Sequence, residues 1–476
     1  MLRNEVLPAP VPAPARGNRR VTLDWLRGLA VALVVGYHVF PQVLPGGLIG
    51  VDLFFVLSGF LVTTVLLTGR SKGPHLWSNW TAFWIRRTRR LVPAMLAALV
   101  GGTLTALVLL PDVPAKLGQQ WLGALTWSSN WLYASDETSY FAKYDQPWWL
   151  HLWSVGIEAQ FYLVWPVILT ALLVVAANLR RTSATVMAVG APFALAVLSA
   201  GAFVLASTAG ADPSSLYMNS AMHAFGLLAG AGVAVVAHRR QERREQLRRR
   251  QPRVCDRTLP SGGGITRTVV LPALPAVVAV LGVLAIIVLA AVSPTDDPRF
   301  LGPTIIAASA IGALVVAMLT LLPEPSSTHK LGWLEWLGNR SYAIYLWHWP
   351  ILLALRGIAE KLDLSIGAVA GAPQSTAVVT DPFAVLLVGV VTIALSLVIA
   401  ELSWRYVEQP VLRDGWRGAV RSMGAWLKST TQRPAALFDV VLVAVLVLAG
   451  VTAALVLSPG MTDLETQLSS SLSSSA

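Results

Sequence analysis

Eleven stretches of this 476-residue chain are long and apolar enough to cross a bilayer, near residues 21–40, 46–68, 91–111, 150–175, 184–209, 217–237, 269–292, 301–322, 341–359, 383–404 and 437–458. Lipid offers the backbone no hydrogen-bonding partner, so each stretch must pair its own N–H and C=O groups as a helix. With 55% hydrophobic and only 13% charged residues, and a mean hydropathy of +0.62, the chain lacks the charge of a soluble domain this long. The expected fold class is an all-α polytopic membrane protein.

The basic residues set an orientation. When loops alternate from a cytoplasmic N-terminus, 30 of the 36 Lys and Arg fall on one side: the N-terminal tail, 70–90, 180–181, 239–267, 330–340 and 405–433. The positive-inside rule then places the N-terminus inside and the C-terminus outside. The net charge of +11 follows from this asymmetry, so nucleic acid is not an expected partner. Residues 1–20 lack a signal-peptide core and read as a disordered cytoplasmic tail; 459–476 reads as a flexible outer tail. The arginine-rich loop 238–267 reads as a solvated or headgroup-bound anchor. Residues 74–90, and the segment 411–436 within loop 405–436, read as amphipathic helices on the inner surface. The outer loop 112–149 is rich in Trp and Tyr, which suits both an interfacial belt and a surface that stacks on sugar. The single cysteine, Cys255, excludes a disulfide framework and a Cys-rich metal site.

Polar groups inside such spans are costly and mark function. Arg27 and His38 share the first span, roughly 16 Å apart at about 1.5 Å per residue. Asp52 lies a few residues into the second span and is expected to approach His38 and hold its ring; a helix N-cap is its plainer role. Glu158 enters the fourth span from the outer face to about the depth of His38, with Ser154 and Tyr162 on the same helix face. Ser58 suits close packing better than nucleophilic attack, because no nucleophile elbow surrounds it. Gly59 lets a partner helix or substrate come close. His348 sits mid-span between Trp347 and Trp349, and Pro350 frees a backbone carbonyl there. Arg87 and Arg90 lie at the inner surface, as anchors or as a phosphate receiver.

Together these residues resemble the membrane acyltransferase-3 superfamily, over about 21–410. Arg27 and His38 are similar to its Arg-x10-His signature, DLFFVLSGF to its second-span motif, and Arg87 with Arg90 to its Arg-x-x-Arg element. HLWSVGIEAQFY, SYAIYLWHWP and RYVEQPVLR, the last with Glu408 and Pro410, match three further elements. Ala159 departs from the family's Glu pair; His223 and Gly226 stand where Arg and Glu are frequent.

The resemblance implies a ten-helix acyltransferase core over 21–410, joined by one further transmembrane helix at 437–458 and no SGNH domain, in a bacterial-type cell membrane. It implies acyl-CoA as co-substrate, with no permanently bound cofactor and no metal. The acceptor is then a hydroxyl of a cell-envelope glycan or glycolipid, membrane lipids being the other partner. His38 is the implied general base, held by Asp52 or Glu158. Tyr162, Ser58 or His348 would donate to the oxyanion. Arg27, Arg87 and Arg90 would bind the donor. Transfer is direct or through an acyl-His38 intermediate. The alternative is a transporter or flippase that uses Arg27, His38 and Glu158 as a substrate or proton path; the lack of a visible internal repeat weighs against it.

Overall fold

The structure is a computed structural model that describes residues 20–70, 76–110, 113–136, 138, 140–141, 146–250, 273–295, 297–323, 331–362, 382–430 and 434–460. Among the described residues it is α-helical with no strand. The expected stretches fall on α1 (Val21–Val39), α2 (Gly50–Arg70), α3 (Leu76–Leu109), α6 (Leu152–Ala177), α7 (Arg181–Thr208), α9 (Phe225–Arg250), α10 (Ala273–Val292), α11 (Pro298–Leu319), α12 (Gly332–Lys361), α13 (Pro382–Ser403) and α15 (Pro434–Leu457). Short helices α4 (Leu117–Leu125), α5 (Ser129–Ser135) and α8 (Pro213–Tyr217) lie in the connections, and α14 (Gln409–Thr430) follows α13.

Seven described segments, in α2, α3, α6, α7, α10, α11 and α13, have the length and hydropathy of a membrane crossing. The protein is therefore a multi-pass membrane protein. α1 and α12 are not among the seven. They carry Arg27 and His38, and Arg340, His348 and Arg356, where apolar side chains would stand. Peripheral helices expose apolar side chains, such as Val197 and Leu205 of α7 and Leu281 and Val288 of α10, as a lipid-facing surface requires.

α1 packs between α2 and α12; α2 packs on α9, and α12 on α3 and α13. Two of these crossings have no room for a side chain. A Cβ on Gly59 would sit 1.8 Å from the Leu227 carbonyl oxygen, and one on Gly338 1.9 Å from that of Asp24. In lipid no hydrophobic force drives helices together, so close backbone approach at small residues supplies the packing. Gly59 thus serves a partner helix.

Several boundaries differ from expectation. Residues 76–90 of the amphipathic segment and 91–109 of the span after it form one helix, α3, which carries Arg87 and Arg90 one turn apart. The expected span 217–237 becomes helical only at Phe225. The Asn219 side-chain oxygen accepts from the N–H groups of Ala221 and Met222, both at 3.0 Å, and turns the chain there. The start of the expected loop 238–267 is the exposed end of α9, as far as Arg250. Segment 405–436 opens with a π-helical turn, Trp404–Glu408, before α14 bends at Gly415 (φ 69°). Cys255 and most of both expected tails lie outside the described residues.

Candidate active site

α1 ends one residue after His38, which it brings against α12. The His38 Nδ1 lies 2.9 Å from the His348 Nε2, with the two rings nearly parallel. The His348 Nδ1 lies 2.7 Å from the Tyr345 carbonyl oxygen. A carbonyl only accepts, so the His348 Nδ1 carries the hydrogen and its Nε2 presents a lone pair. The His38 Nδ1–H therefore donates to His348, and the His38 Nε2 is left as the basic nitrogen. The Tyr140 hydroxyl of the loop before α6 stands 3.4 Å from that nitrogen. Burial pushes the Tyr140 phenol well above its ordinary value, so it remains a neutral donor. His348 is fully buried, whereas His38 keeps accessible surface. Arg356 donates to the His38 carbonyl at 3.1 Å and ties the end of α1 to α12.

A second cluster lines an open cleft between α1, α2, α3, α6 and α12, with about 680 Å³ of space when the solvent at its mouth is included. Arg27, Arg87 and Arg90 line one part of it, and Ser154 and Tyr345 another. Arg27 donates to Ser341 at 3.1 Å. The Arg87 guanidinium stacks 4.7 Å from the Tyr162 ring centroid and 5.5 Å from that of Phe83, which holds its plane. Glu158 accepts from both Ser58 and Tyr162. Tyr345 is the partition between the two clusters. Its hydroxyl borders the cleft, donates to the His151 carbonyl at 2.6 Å and meets the Ser154 hydroxyl at 2.7 Å, while its own carbonyl orients His348.

Asp52 does not hold His38, contrary to expectation. Its Oδ1 lies 3.0 Å from the His223 Nε2 and accepts from Ser309 at 3.2 Å, and both members of the pair are fully buried. The His223 Nδ1 donates to the Tyr217 carbonyl at 2.6 Å, so a single proton lies between Asp52 and His223 and the pair is neutral overall. The physical reason for the difference is azimuth: Asp52 faces α9 and α11 across α2, not α1. Glu158 likewise does not hold His38, because its side chain turns into the arginine cleft with Ser58 and Tyr162.

The nine expected site residues thus divide among three places. His38 and His348 form the imidazole pair; Arg27, Ser58, Arg87, Arg90, Glu158 and Tyr162 line the cleft; Asp52 stands apart with His223. Sequence reasoning missed Tyr345 and Tyr140. Tyr345 precedes His348 by one helical turn, a spacing that was readable; Tyr140 lies in an aromatic loop where nothing distinguishes it from its neighbours.

A family model described as "Acyltransferase domain" matches residues 20–401. The chain is 30% identical over 405 residues to the peptidoglycan O-acetyltransferase OatA of Listeria monocytogenes, covering 83% of this chain and 56% of that protein. It is 28% identical over 404 residues to YrhL of Bacillus subtilis, whose name gives it as a candidate peptidoglycan O-acetyltransferase, covering 84% of this chain and 56% of the relative. It is also 28% identical over 413 residues to a candidate O-acetyltransferase of Staphylococcus aureus, covering 83% and 59%. The chain spans a little over half the length of these relatives. No solved structure matches it.

Proposed function

From the premise that the chain belongs to the membrane acyltransferase-3 family, we propose that it is an O-acyltransferase that moves an acetyl or similar acyl group from cytoplasmic acyl-CoA to a hydroxyl of an extracytoplasmic cell-envelope glycan. The observation that carries this reading is the position of Tyr345. It separates a cleft lined by three arginines from a histidine pair with one basic nitrogen available. Peptidoglycan is the acceptor class that the names of two relatives point to.

The charge distribution supports the assignment of the two substrates. CoA is anionic, and Arg87 and Arg90 belong to the arginine-rich side of the chain, which the positive-inside rule turns to the cytoplasm. The pantetheine arm then extends along the cleft toward Ser154 and Tyr345. The acceptor approaches from the opposite side, at the Tyr140 loop. The His38 Nε2 removes the proton of the acceptor hydroxyl as its oxygen attacks the thioester carbonyl. The carbon–sulfur bond breaks, the acyl group passes to the acceptor oxygen, and the proton leaves with the CoA thiol. His348 holds the His38 tautomer and stabilises the imidazolium by accepting its Nδ1–H, the part a carboxylate plays in a hydrolase triad.

The test is incubation of the purified protein with labelled acetyl-CoA and peptidoglycan fragments, scored for CoA release and for label on the fragment. Acceptor-dependent release of CoA supports the reading. Its absence with every thioester and glycan tried sinks it.

A further inference from the structure

His151 is the N-terminal cap of α6 and only 2% exposed, yet among the described residues neither of its ring nitrogens has a hydrogen-bond partner. The ring is not isolated. Its centroid lies 5.4 Å from that of Tyr345, 5.7 Å from His348 and 6.2 Å from Trp349. The Leu346 carbonyl, which Pro350 leaves without its helical N–H, faces the ring but falls short of hydrogen-bond geometry. A buried imidazole is normally satisfied on at least one side, and leaving it unpaired costs free energy. A group that tolerates this cost beside a reaction centre is completed when a substrate arrives.

The neighbouring polar side chains narrow what that substrate group is. The hydroxyls of Ser58 and Tyr162 donate to Glu158. His348 has both nitrogens engaged, one by Tyr345 and one by His38. The Tyr345 hydroxyl donates to a backbone carbonyl. Tyr140 faces the basic nitrogen of His38. None of these has an uncommitted hydrogen; among the buried N–H groups that do are those of His151 and of the Trp149 indole packed on it, and it is the His151 ring that stands against both Tyr345 and His348.

We propose that His151 is a catalytic residue that donates its ring N–H to the thioester carbonyl oxygen as negative charge develops there. The role rests on the acyl-transfer reading above. A neutral imidazole suits it, because the donor is fixed by the α6 cap and by packing against Tyr345, Trp149 and Trp349 before the oxyanion forms. The proton stays on His151, so the step remains base catalysis by His38.

The experiment compares wild type with His151→Ala, His151→Asn and His151→Gln, using acetyl-CoA and peptidoglycan fragments. Loss of one oxyanion donor predicts a fall in kcat of about 10²–10³ for His151→Ala with KM for acetyl-CoA little changed. Asparagine places an amide N–H near the Nδ1 position and glutamine near Nε2. One of them restores much of the rate, with the wild-type pH profile, and so names the donating nitrogen. Unchanged kcat in His151→Ala overturns the proposal, as does an equal loss in all three variants. The failure of the broader reading looks different: wild-type protein releases no CoA, or His38→Ala stays fully active while the His151 series still responds.

Discussion

The Nδ1 of His38 and the Nε2 of His348 lie 2.9 Å apart, on helices whose residues are 310 positions apart in the chain. The Tyr345 carbonyl fixes which of the two rings presents a free lone pair, so one backbone oxygen on α12 decides which nitrogen on α1 is the base.

Replacing His38 by Ala should lower kcat by about 10²–10⁴, the usual contribution of a positioned general base. His348→Ala should cause a smaller loss, because His38 keeps its basic nitrogen but loses its fixed tautomer. Rates of CoA release with an acceptor present, alongside unchanged thermal unfolding in detergent, are the measurement. Full activity of His38→Ala would remove the base from the mechanism.

Arg87 and Arg90 should act on the donor. Their joint replacement by Ala should weaken acyl-CoA binding by about tenfold to a hundredfold, on the scale of one or two charge-assisted hydrogen bonds. Arg87→Lys should not restore it, since a lysine cannot stack flat on Tyr162 and Phe83. Equilibrium binding of labelled CoA reads the effect, and unaltered affinity would make both residues membrane anchors.

The Asp52–His223 pair should matter for stability more than for turnover. Removing one partner of a buried pair costs about 3–5 kcal/mol, so His223→Ala should unfold at markedly lower temperature. Asp52→Asn keeps a neutral group that donates to the His223 Nε2 lone pair, and it should stay folded and active. An inactive but stably folded Asp52→Asn would return Asp52 to the list of catalytic carboxylates.

Gly59→Leu should be among the most damaging changes far from the chemistry. Even its Cβ would meet the Leu227 carbonyl oxygen at 1.8 Å, so α2 and α9 must part. Overpacking of this kind costs about 1–3 kcal/mol or more. Loss of folded protein on size-exclusion chromatography in detergent is the expected result, with normal yield as the contrary one.

The order of apolar stretches, the arginine asymmetry and the motifs around His38, Asp52, Glu158 and His348 were all legible in the chain itself. Each depends on residue type and on spacing along one helix, and both are linear quantities. Depth was legible only in part: Glu158, expected level with His38, lines the cleft with Arg27 and Ser58. Which way a side chain turns about the helix axis was not. The tight connection from α1 to α2 puts Asp52, and depth puts Glu158, beside His38, yet packing sends one toward α9 and the other into the arginine cleft. The His348 contact, the partition at Tyr345 and the unpaired nitrogens of His151 join α1, α6, α12 and the Tyr140 loop. They arise only when helices far apart in sequence close against one another at positions such as Gly59 and Gly338, where backbones nearly touch.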